Sequence, residues 1–173
     1  DGNICFEALS TSESVVDFFR EYFDDTLQLL ENFPKTFFDN PTGKLATIYA
    51  DEWQYNNQYC LIGDAAHAVV PFFGQGMNAS FEDCEVLMQC LDEAGINWEG
   101  VYNKYSSIRK VDCDAIAKMA LENYVEMRDL VTRKEFLQQR KISNILSDNF
   151  PDRFIPRYNM VSFTSIPYSE VYR

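Results

Sequence analysis

Chemistry is concentrated in one run of the chain, Gly63-Asp64-Ala65-Ala66-His67, followed by Pro71-Phe72-Phe73-Gly74-Gln75-Gly76-Met77-Asn78. The order is that of a strand leaving through Gly-Asp, a loop bent at Pro71, and Gly-x-Gly at the start of a helix. Gly74 and Gly76 carry no Cβ, so backbone and ligand can approach closely there. Main-chain N–H groups at a helix start have no intrahelical partner, and they carry a partial positive charge. An electron-rich or anionic group is their natural occupant. Asp64, at the C-terminal end of a strand, suits hydroxyl groups such as those of a ribose or ribityl chain. Taken alone, Gly74-x-Gly76 reads equally well as a simple tight turn. His67 reads better as a residue orienting the loop through a backbone hydrogen bond than as a catalytic base.

A second set of polar residues lies on a long helical pattern. Asn123 follows Ala120 and Ile116 by three and seven residues and precedes Met127 by four, so it shares their apolar face. Glu126 is nearly one turn on. A buried amide without a partner costs about 1–3 kcal/mol, and a buried carboxylate costs more. The pair is therefore either a structural hydrogen-bond network or a polar wall of a pocket.

The run from Gly63 to Asn78 resembles the Gly-Asp-Ala-Ala-His…Pro…Gly-x-Gly-x-Asn signature of class A flavoprotein monooxygenases. Within that group, Pro71 to Asn78 with Phe81-Glu82-Asp83-Cys84, then Glu122-Asn123-Tyr124-Val125-Glu126-Met127-Arg128 and Phe154-Ile155-Pro156-Arg157-Tyr158-Asn159-Met160-Val161-Ser162-Phe163, is similar to the kynurenine 3-monooxygenase family. The likeness spans most of residues 59–165 and is thin before residue 59.

The resemblance implies an α/β fold class: the C-terminal part of a flavoprotein monooxygenase fold, followed by a mainly helical region. Residues 1–58 would belong to the substrate-binding sheet domain. Residues 59–97 would form the FAD-binding strand-loop-helix, and 98–173 the helical region lining the substrate pocket. It also implies bound FAD, with NADPH and O2 as co-substrates, and hydroxylation of L-kynurenine to 3-hydroxykynurenine in tryptophan catabolism and pyridine nucleotide biosynthesis. FAD contacts fall on Gly63, Asp64, Pro71, Gly74, Gln75, Gly76, Met77 and Asn78. Substrate contacts fall on Asn123 and Tyr158, with Phe72, Phe73, Glu126 and Met127 walling or supporting the pocket, and Gln75 relaying between loop and substrate. Tyr158 has a plainer alternative as a packed aromatic with a satisfied hydroxyl. No side chain is assigned as acid or base, because the flavin performs the chemistry.

A Gly-x-Gly-x-x-Gly opening a βαβ unit is not found in the sequence. In the resembled family that fingerprint and the clamp on the substrate carboxylate lie in an N-terminal half. The chain is thus expected to be one part of such an enzyme, partnered by that half and inactive alone. Two other readings stand beside this one: a flavin monooxygenase for another aromatic substrate, and a non-catalytic helical interaction module.

The supporting elements follow from pattern. A turn at Asp1-Gly2-Asn3 leads into a strand over Ile4–Leu9, so the chain is expected to start mid-domain. Ser10-Thr11-Ser12-Glu13 has the spacing of a capping box. The helix after it carries Val15, Val16, Phe19, Tyr22 and Phe23, and Asp24-Asp25 opens a second helix with Leu27, Leu30 and Phe33, stopped by Pro34. Strands are expected at Leu45–Tyr49 and Tyr59–Ile62. A helix from about Ala79 to Leu91 presents Phe81, Cys84, Leu87, Met88 and Leu91. The stretch Trp98 to Leu130 is helical, with an apolar stripe from Tyr102 through Tyr105, Ile108 and Ile116 to Leu130. Another helix spans Lys134 to about Asn149, Phe154 to Phe163 is extended, and Pro167 opens a last helix.

Bulk properties narrow the classes. Fifteen basic against 27 acidic residues give a formal net charge of −12. Nucleic acid is an improbable partner without clustered Lys and Arg. Hydrophobic residues at 46% and charged residues at 24% are ordinary for a globular chain. Aromatics reach 15%, which suits a thick core or a pocket for a planar ligand. Five cysteines without CxxC spacing and a single histidine make a Cys/His zinc site hard to build, so no metal is expected. The cysteines read as reduced and mostly buried, in an intracellular protein. The resemblance to the kynurenine 3-monooxygenase family implies the cytoplasm for a bacterial protein and the mitochondrial outer membrane for a eukaryotic one. No run approaches the ~20 apolar residues of a membrane span.

Overall fold

The computed structural model describes residues 5–173, and the chain divides into two compact units, Asp1–Lys44 and Leu45–Arg173. The opening turn expected at Asp1-Gly2-Asn3 lies outside the described residues.

In the first unit the strand expected over Ile4–Leu9 is replaced, from Phe6 to Ala8, by a 3₁₀ turn. Helix α1 (Ser12–Tyr22) begins at Thr11, not Ser10: Thr11 Oγ1 accepts the Ser14 N–H at 3.1 Å, and Ser14 Oγ accepts the Thr11 N–H at 3.2 Å. The cap is reciprocal, as in a capping box, with serine serving in the third position. Val15 is the fully buried residue of α1. Helix α2 (Asp24–Leu27) is shorter than its apolar pattern suggested, and α3 (Lys35–Asp39) follows Pro34. Aromatic contacts hold these short pieces together: Phe19 lies 4.6 Å from Phe33 and 5.5 Å from Phe23 between ring centroids.

The second unit is built on helices. Leu45–Tyr49 forms no regular strand, although Ile48 N–H donates to the Ala68 carbonyl at 2.8 Å. The sheet is limited to β1 (Gln54–Tyr55) paired antiparallel with β2 (Tyr59–Cys60), so the second strand stops two residues short of Ile62. Asn56 and Asn57 make the turn with φ of 50° and 56°, a conformation asparagine tolerates better than most residues. Helix α4 (Asp64–His67) follows, then a 3₁₀ turn at Pro71–Phe73 and helices α5 (Gly76–Ala94) and α6 (Trp98–Val125). A π-helical segment, Glu126–Leu130, continues α6 and precedes α7 (Lys134–Asn149). Phe154–Phe163 is not extended: α8 (Arg157–Phe163) occupies most of it, entered through Pro156, whose fixed φ is already suited to a helix start. Helix α9 (Tyr168–Val171) follows Pro167.

Helix α6 is the spine of this unit, with α5 and α9 packed along it. Tyr105, Ile116 and Met119 are fully buried on α6, each contributing roughly 1.5–3 kcal/mol by leaving water. The face α5 buries is not the expected one. Phe81, Cys84 and Met88 are exposed, while Ala79, Asp83 and Cys90 are buried. Small residues on the inner face let α5 lie close to α6. On α6 the stripe holds at Tyr105 and Ile116, but Ile108 is exposed, as is Met127 in the π-helical segment beyond it, and Arg109 and Cys113 take the inner positions. All five cysteines are free thiols, with only Cys90 and Cys113 buried.

Candidate functional site

Gly63 precedes α4 with φ 60° and ψ −142°, a conformation essentially reserved to glycine. A Cβ there would also meet Ser80 Oγ at 3.1 Å. The Gly63 N–H donates to Asp83 Oδ2 at 2.8 Å, and His67 Nε2 lies 2.6 Å from the same oxygen. From α6, Arg109 Nε donates to Asp83 Oδ1 at 2.7 Å, while its other nitrogens reach Glu82 Oε2 at 2.9 Å and the Ala79 carbonyl at 3.1 Å. Asp83 is fully buried and Arg109 nearly so. Burial pushes the Asp83 carboxyl up, but hydrogen bonds from His67, Arg109 and Gly63 outweigh it, and the group is held below its ordinary range. His67 therefore orients the loop through a carboxylate and not through a backbone group. It also stacks on Trp53, 5.2 Å between ring centroids.

His67, Asp83 and Cys113 present ligand atoms within 4.8 Å of one another. The arrangement does not suit a cation. The Arg109 guanidinium already neutralises Asp83 and lies 3.6 Å from Cys113 Sγ. Burial also pushes the Cys113 thiol up, away from the thiolate a metal requires.

Asp64, the first residue of α4, is exposed at the surface, and its carboxylate makes no hydrogen bond among the described residues. The Gly63–Asp83 bond fixes the backbone immediately before it.

Helix α5 begins at Gly76, three residues earlier than the sequence suggested. Gly74 is left-handed, with φ 69°, and closes the Pro71 turn through its N–H to the Pro71 carbonyl at 3.0 Å. No side chain caps α5, and its first backbone hydrogen bond is Ala79 N–H to Gln75 O at 2.9 Å. The amides of Gly76, Met77 and Asn78 have no partner among the described residues. Met77 and Asn78 are exposed, so this helix tip faces outward instead of into protein. Gln75 is buried, and its Oε1 accepts from Asn78 Nδ2 at 2.9 Å and from the Tyr168 hydroxyl at 3.0 Å. Gln75 thus sits in the packing beneath the loop, bonded to Asn78 and Tyr168.

These residues fit a flat, electron-rich ring bearing a polyhydroxyl tail. Free amides on a 19-residue helix offer donors and positive potential, Gly74 leaves open space where a Cβ would stand, and Asp64 offers an unengaged carboxylate.

Four of the six residues expected at a substrate border one cavity of about 650 Å³: Asn123, Glu126, Met127 and Tyr158. Phe73 meets Asn123, Glu126 and Tyr158 in an adjoining space of about 90 Å³, and its ring stacks on Tyr158 with centroids 5.6 Å apart. Phe72 differs. Its ring packs against Tyr124 at 4.6 Å, and its carbonyl accepts a hydrogen bond from Asn123 Nδ2 at 2.7 Å. Asn123 is half-buried, so its amide serves the loop on one side and the cavity on the other. The π-helical segment begins at Glu126, where the wider turn changes which side chains of this stretch face the cavity.

Asp83 and Arg109 are the residues that reasoning from sequence passed over. Each is a charge on the inner face of its helix, Asp83 four residues after Ala79 and Arg109 four after Tyr105. The two lie on different helices, and α5 buries a face other than the expected one, so spacing carried no signal for the pair.

Comparison with known proteins adds one family match and three relatives. A family profile described as "FAD binding domain" matches residues 19–119. Kynurenine 3-monooxygenase of Cytophaga hutchinsonii is 46% identical over 170 residues, covering 98% of this chain and 38% of that protein. The Dictyostelium discoideum protein of the same name is 40% identical over 181 residues, covering 98% of this chain and 39% of that protein. The Myxococcus xanthus protein is 43% identical over 172 residues, covering 99% and 37%. The chain therefore spans less than two-fifths of the length of these relatives.

Proposed function

Because the chain belongs to the FAD-binding domain family, we propose that it is the part of an NADPH- and FAD-dependent monooxygenase that holds the flavin end of FAD and one side of a pocket for L-kynurenine. The observation that carries this reading is the uncapped, outward-facing tip of α5 beside the left-handed Gly74. Identity of 39–46% with kynurenine 3-monooxygenases, running almost the whole length of the chain, supports the substrate.

FAD, when bound, would take two electrons from NADPH and, with O2 as oxygen source, supply the chemistry that adds one oxygen atom to L-kynurenine while the other leaves as water. The protein's share is binding, orientation and electrostatics. Asp64 accepts hydrogen bonds from ribityl hydroxyls, and Gly63 sets its position. The Gly76, Met77 and Asn78 amides favour negative charge at the ring edge they face. Asn123 and Tyr158 hold the substrate, Phe73 stacks behind Tyr158, and Glu126 and Met127 shape the wall. Phe72 acts through its carbonyl on Asn123. In this reading residues 59–97 are the FAD-contacting segment and 98–173 the pocket-lining helical region, while 1–58 belong to the substrate-binding domain. Contacts to the ADP half of FAD and to the substrate carboxylate come from polypeptide outside this chain. Among the described residues no helix is long and apolar enough to cross a membrane.

The test uses the natural polypeptide that carries this chain. It purifies yellow, releases FAD on denaturation and oxidises NADPH faster when L-kynurenine is added, with 3-hydroxykynurenine identified by mass. Colourless protein that takes up no added FAD would end the proposal.

A further inference from the structure

Resting on the reading above, we propose that Tyr168, on the last helix, is a positioning residue for the flavin-facing tip of α5, acting through the side-chain amide of Gln75. The two residues are far apart in sequence and meet in the interior. Tyr168 is 5% exposed and Gln75 is 7% exposed. The tyrosine hydroxyl donates to Gln75 Oε1 at 3.0 Å, and the same oxygen accepts from Asn78 Nδ2 at 2.9 Å. An amide oxygen has two lone pairs, so these two donors saturate it. The Gln75 NH2 group points at the Phe73 carbonyl, 3.5 Å away. A flipped amide would set oxygen against oxygen there, so this contact favours the orientation in which Oε1 faces Tyr168 and Asn78.

This orientation determines where the Asn78 side chain goes. Asn78 is the third residue of α5, and its own backbone amide is one of the three left free at the tip. Its side chain is exposed yet held from below by Gln75. Tyr168 thus reaches the cofactor-facing surface without touching it.

Tyr168 is itself held firmly. Its neighbour Ser169 donates its N–H to Asp112 Oδ1 at 3.0 Å, and the Tyr172 hydroxyl donates to Glu122 Oε1 at 3.1 Å. Both acceptors are on α6. Val171 enters the core shared by α5 and α6. Burial, then the charge of Glu82, push the Tyr168 phenol up, so it remains a donor throughout the neutral range. The three links run α6 to α9, α9 to Gln75, and Gln75 to the α5 tip.

The experiment compares FAD binding by the natural polypeptide carrying this chain with that of its Tyr168→Phe variant, which keeps the ring and removes the hydroxyl. Loss of one hydrogen bond on a buried amide predicts a rise in the FAD dissociation constant of roughly fivefold to tenfold. The visible flavin bands should shift as well, because Asn78 relaxes. In a Gln75→Ala background the same tyrosine change should add less than about twofold, since its route to the cofactor is gone. A Tyr168→Phe protein that melts earlier but binds FAD with wild-type affinity and spectrum would overturn the inference, as would additive effects in the double variant. Failure of the wild-type protein to bind FAD would overturn this inference and the proposed function together, which separates the two cases.

Discussion

His67 Nε2 and Asp83 Oδ2 lie 2.6 Å apart, both sealed from solvent, and the same carboxylate oxygen receives the N–H of Gly63. One buried acid on α5 therefore fixes both ends of α4, and Arg109 on α6 balances its charge. Removing one member of such a set leaves an uncompensated buried charge, which costs about 3–5 kcal/mol. Asp83→Ala should lower thermal stability by that order. Asp83→Asn should cost less, because an amide oxygen can still accept from Gly63. A calorimetric series with Asp83→Ala no less stable than wild type would show that the network carries little energy.

The same group sets a pH dependence. The folded-state carboxyl of Asp83 titrates below its ordinary value of 3.8, so its contribution to stability is present above the unfolded value and is lost as pH falls through the folded one. Stability should therefore be insensitive to this group from pH 7 to about 5 and decline in the acid range below ~4. In Asp83→Asn the acid-range slope should be shallower than in wild type. Melting temperatures taken between pH 7 and 3 check the sign.

Two glycines offer a graded test of the backbone at the site. Gly74 is left-handed at φ 69° with open space around it, so Gly74→Ala should cost about 1–2 kcal/mol from backbone strain alone. At Gly63, φ 60° and ψ −142° combine with Ser80 Oγ at 3.1 Å from any added Cβ. Gly63→Ala should thus cost roughly 2–3 kcal/mol and should also displace Asp64. Chemical denaturation of both variants decides the order, and a Gly74 substitution more damaging than the Gly63 one would contradict it.

How far the sequence could be read depended on whether the signal was local. The helix over Lys134–Asn149 and the one starting near Trp98 follow from periodicity and punctuation, and both match the structure at those points. The strands at Leu45–Tyr49 and Tyr59–Ile62 did not form at that length, because a strand depends on a partner that local pattern does not supply. Tyr158 lies in a helix where an extended segment was expected, since Pro156 opens a helix as readily as it ends one. On α5 the large residues Phe81 and Met88 suggested the wrong inner face. The inner face is small, and its one charge, Asp83, is satisfied by Arg109, 26 residues away. Pairing at that separation is invisible to spacing rules. At the site, the Pro71–Gly74 turn was legible because glycine and proline act locally, although the helix after it starts three residues earlier than expected. The buried supports, Asp83, Arg109 and Tyr168, were not.

Asp64 separates cofactor affinity from folding. It is exposed and makes no hydrogen bond among the described residues, so Asp64→Ala should change melting of the flavin-free protein by less than about 0.5 kcal/mol. A hydrogen bond involving a charged group contributes about 1.5–3 kcal/mol, so FAD affinity should fall roughly tenfold to a hundredfold. A thermal melt of the flavin-free natural polypeptide measures the first quantity, and titrating the same preparation with FAD while following flavin fluorescence measures the second. Wild-type affinity in the variant would remove Asp64 from the cofactor site.

Asn123 distinguishes loop support from substrate contact. Its Nδ2 donates to the Phe72 carbonyl at 2.7 Å, and the residue also borders the cavity of about 650 Å³. Asn123→Ala removes both roles. It should raise KM for L-kynurenine by roughly tenfold, since the lost bond is in the range of 1–3 kcal/mol. Asn123→Asp loses the donor and faces an electron-rich carbonyl with a carboxylate, so it should be worse than alanine despite its matching size. Tyr158→Phe, which leaves the stack on Phe73 intact, should raise KM with little change in FAD affinity. If Asn123→Ala and Tyr158→Phe both retain wild-type KM while FAD stays bound, the cavity holds something other than the aromatic substrate, and Asn123 serves only to brace the Pro71 turn.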